Sequence, residues 1–474
     1  MNNNMNKLTG TIEDAIGACG LRDGMAVDFH HHLRAGDMVT SMVVNIIGRM
    51  GFKDIKLCSS GIFDSMMDNG LAEQIRRGVI TSVETTGTAP KLGKMISEGQ
   101  LPKVCRLYTH GGRPRSIEEH DVEIDISFIA APAADPMGNC NGVEGPNACG
   151  PLSYSMTSSR HARHTVVITD NLVPYPLRRV SIDETLVDCV VKVDSIGNPA
   201  GIATGTAKPT RDPIALILAE YSAAAIVGSG LIEEGFSFQA GSGGPSIAAT
   251  RFVSEYMRDK KIHGSFILGG ITGAGADMLD EGLFDAILDV QCFDRRAIES
   301  LRNDPRHREI SDSLYANPIA KSCAVDSLDV VVLGGLEVDT QFNTNLTVNS
   351  AGYIVAGSGG HSDTAAGAKL ALVVAPLMRT RFPSVVDKVV SVTTPGKDID
   401  LLVTQYGVAV NPDNPELRER LRENRVKLVE IEELQRIAID LSGKPKPLKF
   451  GDRVVAQVIH RDGYVIDEIR NIVH

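Results

Sequence analysis

At 474 residues the chain is too long for one ordinary hydrophobic core, so two or three domains are expected. Hydrophobic residues at 43% and charged residues at 23% describe a globular protein, and a net charge of −11 argues against nucleic acid, which needs a clustered basic face. With 46 glycines and no tryptophan, the core must be built from Val, Ile, Leu and Ala, as in buried α/β sheets.

The first ten residues hold no apolar stretch of signal-peptide type. The longest apolar runs, 214–218 and 370–376, fall far short of the roughly 20 residues that cross a bilayer. No membrane partner and a cytoplasmic location are the expectation. Cys19, Cys58, Cys105, Cys140, Cys149, Cys189, Cys292 and Cys323 are scattered with no CxxC pair, which suits a reducing compartment and gives no zinc-site spacing.

In chain order, a β-branched run at 26–30 reads as a strand that runs into His30-His31-His32-Leu33-Arg34, followed by a helix over 36–50 and strands over 54–59 and 79–83. Strands follow at 165–169, 236–240, 370–375, 388–392 and 400–404, and helices over 245–258 and 362–369 open on glycine-rich turns. Near the C-terminus Asn414 and Pro415 cap and start a helix over 416–424, 426–431 reads as a strand, and a helix over 432–441 stops at Gly443. The pattern is α/β.

The chain also matches itself. Asp125, Asp135, Asn139 and Asn141 align with Asp329, Asp339, Asn343 and Asn345 at one common offset of 204 residues. In both copies an apolar run ends in an Asp-x-x-x-Asn turn, as a buried strand does when it leaves the carboxyl edge of a sheet, where α/β proteins place ligands. Two similar open α/β domains related by internal duplication are therefore expected, over 1–214 and 215–474.

Three clusters can carry chemistry. Gln239-Ala-Gly-Ser-Gly-Gly-Pro245 joins a strand to a helix, so Gly241, Gly243 and Gly244 allow close approach of a ligand beneath the unpaired N–H groups of a helix start. Ala356-Gly-Ser-Gly-Gly-His-Ser-Asp363 repeats that arrangement, with a capping role for Ser362 and Asp363 as the plain alternative. Third, His30 and His32 share a strand face, and with Arg34 they suit a polycarboxylate. No Asp, Glu or Cys stands at ligand spacing from these histidines, so no metal is expected. The loop His110-Gly-Gly-Arg-Pro-Arg115 is a further basic segment that can meet anions.

The segments 231–245, 333–345 and 357–369 resemble the coenzyme A transferase superfamily. More closely, FHHHLRAGD at 29–37, GFSFQAGSGGPSIAAT at 235–250 and LGGITGAGADMLDEGLFD at 268–285 resemble the α subunits of bacterial citrate lyases. The resemblance implies a pair of coenzyme A transferase-type domains with the active site between them. It also implies an enzyme that moves an acyl-carrier thiol, or coenzyme A, from an acetyl thioester to citrate and releases acetate. Many superfamily members attack through a glutamate after the strand that follows the first glycine loop. The corresponding stretch 267–276 has no carboxylate, so direct transfer within a ternary complex is expected instead.

On this resemblance Gly241, Gly243, Gly244, Gly359 and Gly360 line the acyl site, while His30, His32, Arg34, His361 and Asp363 recognise citrate. Asn343, Asn345, Gly357 and Thr272 hold the thioester. It implies no tightly bound cofactor, the thiol belonging to a phosphoribosyl-dephospho-coenzyme A group on a carrier or to acetyl-CoA. The implied partners are a citrate lyase β subunit and an acyl-carrier γ subunit, in an oligomer. A transferase or acyl-CoA hydrolase for another acid, and a silent scaffold, are the alternatives.

Overall fold

The computed structural model describes residues 6–202, 210–241 and 243–473. The first half lays down β1 (Leu8–Thr9), β2 (Ala26–Phe29), β3 (Ile55–Ser59), β4 (Ile80–Thr85), β5 (Cys105–Leu107), β6 (Ile126–Ala130), β7 (His164–Thr169) and β8 (Cys189–Lys192). The second contributes β9 (Phe238–Ala240), β10 (Gly264–Ile271), β11 (Phe284–Cys292), β12 (His307–Glu309), β13 (Val330–Gly334), β14 (Leu370–Val374), β15 (Leu401–Thr404) and β16 (Gly407–Val410). A closing hairpin pairs β17 (Phe450–Ile459) with β18 (Val465–Ile472).

These strands form a 10-stranded sheet, ordered β1-β8-β7-β6-β2-β3-β4-β5-β17-β18, and an 8-stranded sheet, ordered β12-β11-β10-β9-β13-β14-β15-β16. The run β8-β7-β6-β2-β3-β4-β5 reappears in the second sheet as β15-β14-β13-β9-β10-β11-β12, so each of the seven strands from β2 to β8 has a counterpart seven places later. Pairing within both runs is parallel. The fully buried sequences of β6, β13 and β14, ISFIA, VVVLG and LALVV, leave only Gly334 exposed, as expected of strands covered by helices on both faces.

The paired Asp/Asn residues repeat their bonds as well as their spacing. Asp125 Oδ2 accepts the N–H of Ala26 at 2.8 Å and Asp329 Oδ2 that of Ser237 at 2.7 Å, each tying the start of one strand to its neighbour. Asp135 Oδ1 caps Met137, Gly138 and Asn139, and Asp339 Oδ1 caps Gln341 and Asn343. Asn141 and Asn345 each accept two backbone N–H groups further along the turn. Short polar side chains that bond their own backbone two to four residues on are what such turns require.

Several sequence expectations are corrected. The cut at 214/215 falls inside the helix Pro213–Gly228, whose start is capped by Asp212. The last hairpin belongs to the first sheet, because β17 pairs with β5 in parallel. Residues 388–392 form no strand: the N–H groups of Val389, Val390 and Val392 go to the carboxylates of Asp339, Glu337 and Asp467 rather than to a ladder. Residues 426–430 make a single bridge, Leu428 to Val408, before Ile431 begins the next helix. The first long helix starts at Val39, not Gly36: residues 34–36 form a separate 3-10 turn, and the Asp37 carboxylate accepts the N–H groups of Val39 and Thr40.

Among the described residues no helix is long and apolar enough to cross a membrane, and all eight cysteines are buried and free. The two sheets are joined by buried charge. Arg113 Nη2 pairs with Asp28 Oδ1 of β2 at 2.5 Å, and its Nη1 reaches Asp312 Oδ2 of the second half at 3.4 Å, all three being within a few per cent of full burial. Removing one member of such a set strands the others without a partner. Arg113→Met is expected to lose about 3–5 kcal/mol of stability, read as a lower denaturant midpoint. An unchanged midpoint would show that the network is idle.

Candidate functional site

Four consecutive strands of the first sheet, β2 to β5, deliver His30–His32, Ser60, Thr86 and His110 just past their carboxyl ends. In the second sheet β9, β10, β11 and β13 end at Gln239–Gly241, Gly270, Gln291–Phe293 and Leu333–Gly334. The two carboxyl edges face one another across a cleft of about 260 Å³, lined from both sides and completed by Tyr154, Tyr315, Gly360 and His361. None of its lining residues is acidic.

The histidines divide differently from the sequence reading. His30 and His32 do share a face, but it is the buried one. Val290 O can only accept, so His32 Nε2 donates to it at 3.2 Å. The neutral ring then accepts at Nδ1 from His30 Nδ1 at 3.0 Å, and His30 Nε2 accepts the N–H of Ala130 at 3.0 Å. Burial lowers the pKa of His30 to about 4 and that of His32 well below its usual range, so this strut between the sheets is uncharged.

His31 is the one that faces the cleft. Its ring stacks on that of His110, with centroids 5.8 Å apart, and both pack on Tyr154 at 4.9 and 4.7 Å. Burial holds the pKa of His31 well below its usual range and lowers that of His110 to about 3. No run or motif singles out His31 from its neighbours; only the direction in which the chain leaves β2 does.

Arg34 adopts φ 54° and lays its guanidinium over Phe293, 4.9 Å from the ring centroid. Its Nε and Nη1 are buried with no hydrogen-bond partner among the described residues, and burial depresses its pKa. An unpaired guanidinium beside a cleft-lining ring is a ready partner for an anion. Gln291, 4% exposed, likewise leaves its Oε1 unpaired at the cleft wall.

Other assignments change. Asp363 is fully buried and accepts Thr109 Oγ1 at 2.6 Å and the N–H of Gly111 at 2.9 Å, so it fastens the second half to the first. Burial raises its pKa to about 6 against those bonds. Both nitrogens of His361 are engaged, by Thr394 Oγ1 at 2.8 Å and Gly334 O at 2.9 Å, leaving its ring as cleft wall. Asn343 is committed to Asp339 and to the N–H of Gly396, and Asn345 to its own turn and Glu337, so neither amide is offered to a thioester. In the basic loop, Arg113 and Arg115 serve ion pairs, and His110 alone meets the cleft.

The glycine loops also separate. The N–H groups of Gly241 and Gly359 already bond Val332 O at 3.0 Å and Thr86 O at 2.9 Å, which removes both as oxyanion donors. Gly243 and Gly244 open the helix Gly244–Lys260, where first-turn N–H groups have no intrahelical acceptor. Gly360 precedes the helix His361–Gly367, and its N–H has no backbone acceptor among the described residues. Gly357 does not line the cleft; it sits where a Cβ would come 2.4 Å from Thr86 O, sealing one half against the other. Thr272 and Gly241 line a smaller adjoining recess. Among the described residues one group could geometrically hold a cation, Asp289, Cys292 and His307, but Asp289 Oδ2 already accepts from Cys292 Sγ and His307 Nε2 at 3.0 Å each.

A parallel α/β pair meeting at its carboxyl edges is the architecture of coenzyme A transferases: the 4-hydroxybutyrate CoA-transferase of Porphyromonas gingivalis superposes with a TM-score of 0.56 at 16% identity, over 88% of this chain and 97% of that one. At that identity the likeness concerns the fold alone, and the fold defines the class. Within it, the chain belongs to the citrate lyase α-subunit (CitF) family, whose model matches residues 5–472. The citrate lyase α chain of Escherichia coli K12 is 45% identical over 466 residues, 98% of this chain and 91% of its own. The citrate lyase α subunit of Streptococcus mutans, solved in complex with citrate, superposes with a TM-score of 0.98 at 44% identity, covering 100% of this chain and 93% of that one. The protein is accordingly a transferase.

Two expected outcomes follow from this geometry. At Gly243, φ is −72° and a Cβ meets no described residue within 4 Å, whereas at Gly357 it meets Thr86 backbone. Gly243→Ala should therefore leave the melting temperature within about 2 °C of wild type, while Gly357→Ala should lower it by 5 °C or more, by an order-of-magnitude estimate for a forced backbone shift. The reverse ranking would refute the packing at the loop.

The second concerns pH. His361, with its pKa lowered by burial from 6.5 to about 4, is neutral in the folded protein at pH 7. Below pH 6.5 the unfolded chain takes up a proton that the fold refuses, so stability falls as the pH drops from 6.5 toward 4. His361→Gln, which keeps a donor and an acceptor, should remove about 2 kcal/mol of the loss between pH 7 and pH 5. Parallel stability–pH curves for the two proteins would contradict this.

Proposed function

We propose that this chain performs the thioester exchange of a citrate lyase: it accepts an acetyl thioester and citrate in the interdomain cleft and returns a citryl thioester and acetate. The observation that carries the reading is a cleft whose lining, among the described residues, has no acidic group and lies beside a mostly buried guanidinium, Arg34, that has no partner among them. A cleft of that kind suits an anionic acid as the incoming nucleophile and offers no carboxylate to become an acyl-enzyme.

In the direct route, a citrate carboxylate oxygen attacks the acetyl carbonyl and the C–S bond breaks, giving a mixed anhydride and a thiolate. The thiolate then attacks the citryl carbonyl, the anhydride C–O bond breaks, and acetate leaves. No proton is gained or lost overall. Both tetrahedral oxyanions need N–H donors; of the loop glycines Gly360 lines the cleft with an N–H that has no backbone acceptor among the described residues, which supports it as a donor, whereas Gly243 and Gly244 stand outside the cleft lining, and one such donor is typically worth about 3 kcal/mol. Holding both reactants together adds about 7–11 kcal/mol through effective molarity. We assign the thioester to the side of the cleft where the small recess lined by Thr272 adjoins it.

The family membership supports a carrier subunit bearing a phosphoribosyl-dephospho-coenzyme A thiol, a β subunit that cleaves the citryl thioester, an oligomeric assembly, and a cytoplasmic location. Free acetyl-CoA is the simpler stand-in for the carrier. The repeated strand order and the paired Asp/Asn turns support an origin of the two halves by duplication.

The test is to mix the chain with acetyl-CoA and isotopically labelled citrate and to follow citryl-CoA and acetate by mass spectrometry, with borohydride added to trap any acyl-enzyme. Both products and no trapped adduct are expected. Arg34→Met should weaken citrate binding by about 10- to 100-fold, the loss of one charge-assisted contact. Acetate with free coenzyme A and no citryl-CoA would mean a hydrolase, and a trapped adduct would overturn the direct route.

A further inference from the structure

His31 and His110 are stacked neighbours, yet their surroundings give them opposite hydrogen-bonding characters. Thr86 Oγ1 lies 2.6 Å from Ser60 O, a carbonyl that can only accept, so the Thr86 hydroxyl proton is committed there. At 2.9 Å from His110 Nδ1, Thr86 Oγ1 therefore accepts, and His110 carries its proton on Nδ1. A neutral His110 then presents Nε2 as a bare lone pair, beside the Gly359 and Gly360 edge of the cleft.

For His31 the logic reverses. Ser60 Oγ accepts the His31 backbone N–H at 3.1 Å and stands 2.7 Å from His31 Nδ1, and its own proton has no other acceptor among the described residues. The Ser60 hydroxyl therefore donates to Nδ1, and His31 keeps its proton on Nε2, away from Ser60 and Gly61. The hydrogen bonds of these two rings among the described residues are those at Nδ1, and both rings line the cleft. The wall thus offers one N–H donor and one acceptor, side by side, from rings 5.8 Å apart.

A carboxylate alone cannot satisfy that pair, because ionised oxygens only accept. A carboxylate beside a hydroxyl satisfies it fully. We infer that His110 is a specificity-determining residue that accepts the hydroxyl proton of a hydroxy tricarboxylate, while His31 donates to the neighbouring carboxylate. This rests on the proposed citrate reading and deepens it, since it names which feature of the acid the cleft selects. An acid lacking the hydroxyl leaves the His110 lone pair buried and unmatched.

The experiment compares citrate with propane-1,2,3-tricarboxylate, its deoxy analogue, by calorimetric Kd and by transfer kcat/KM with acetyl-CoA, using the full chain. Wild type should favour citrate by at least about 10-fold in both. His110→Phe keeps the ring stack and removes the acceptor, so the preference should fall to within about 2-fold of unity, through weaker handling of citrate rather than better handling of the analogue. His110→Gln, with an amide oxygen near the position of Nε2, should restore part of it. Equal binding of the two acids by the wild type would overturn the inference while leaving the citrate reading intact. Binding of neither acid by folded protein would overturn both, and a preference that survives in both variants would remove His110 from the assignment.

Discussion

Everything at the cleft depends on two parallel sheets meeting carboxyl edge to carboxyl edge through buried polar groups. A parallel sheet presents unpaired backbone and loop ends at that edge, and closing two of them together leaves little apolar surface to bury. The chain answers with single side chains that reach across. Asp363 takes Thr109 and Gly111, Arg113 joins Asp28 to Asp312, and His32 donates to Val290. The Gly359 segment zips onto Thr86 and His110 through main-chain bonds. Each of these contacts stands within a few residues of the cleft, so the forces that hold the halves together also set the positions of the groups that meet the ligand.

That arrangement fixes charge as well as geometry. Burial keeps His30, His110 and His361 neutral at physiological pH, with pKa values of about 4, 3 and 4. The cleft wall is therefore an ordered set of donors and acceptors rather than a cationic sink. The exception is Arg34, a guanidinium beside Phe293 that has no counterion among the described residues. One unpaired cation among neutral directional groups is a setting in which a polyanion is attracted by charge and sorted by hydrogen bonds.

The architecture was largely legible in the sequence because it rests on local rules. Apolar runs marked the central strands, and the Asp135 and Asp339 turns announced themselves through side chains that bond their own backbone. The same locality misled the assignment of Asn343 and Asn345, since a polar residue at a strand end serves a turn as readily as a ligand. The cleft was harder. Which of three adjacent histidines faces the cleft depends on how the chain leaves β2, and its tautomer on Ser60, 29 residues away. Tyr154, Tyr315 and Gln291 carry no motif at all; they reach the cleft only through tertiary packing. Val389, Val390 and Val392 read as a strand until carboxylates from elsewhere claim their N–H groups.

The most direct measurement of the central claim, that the cleft between the two carboxyl edges receives the acid, is a crystal structure of the chain soaked with citrate at a concentration well above its Kd. The account predicts citrate between the sheets, with a carboxylate on the Arg34 guanidinium and His31 Nε2 within hydrogen-bond distance. Citrate at full occupancy elsewhere, with Arg34 and His31 untouched and the cleft empty, would contradict it.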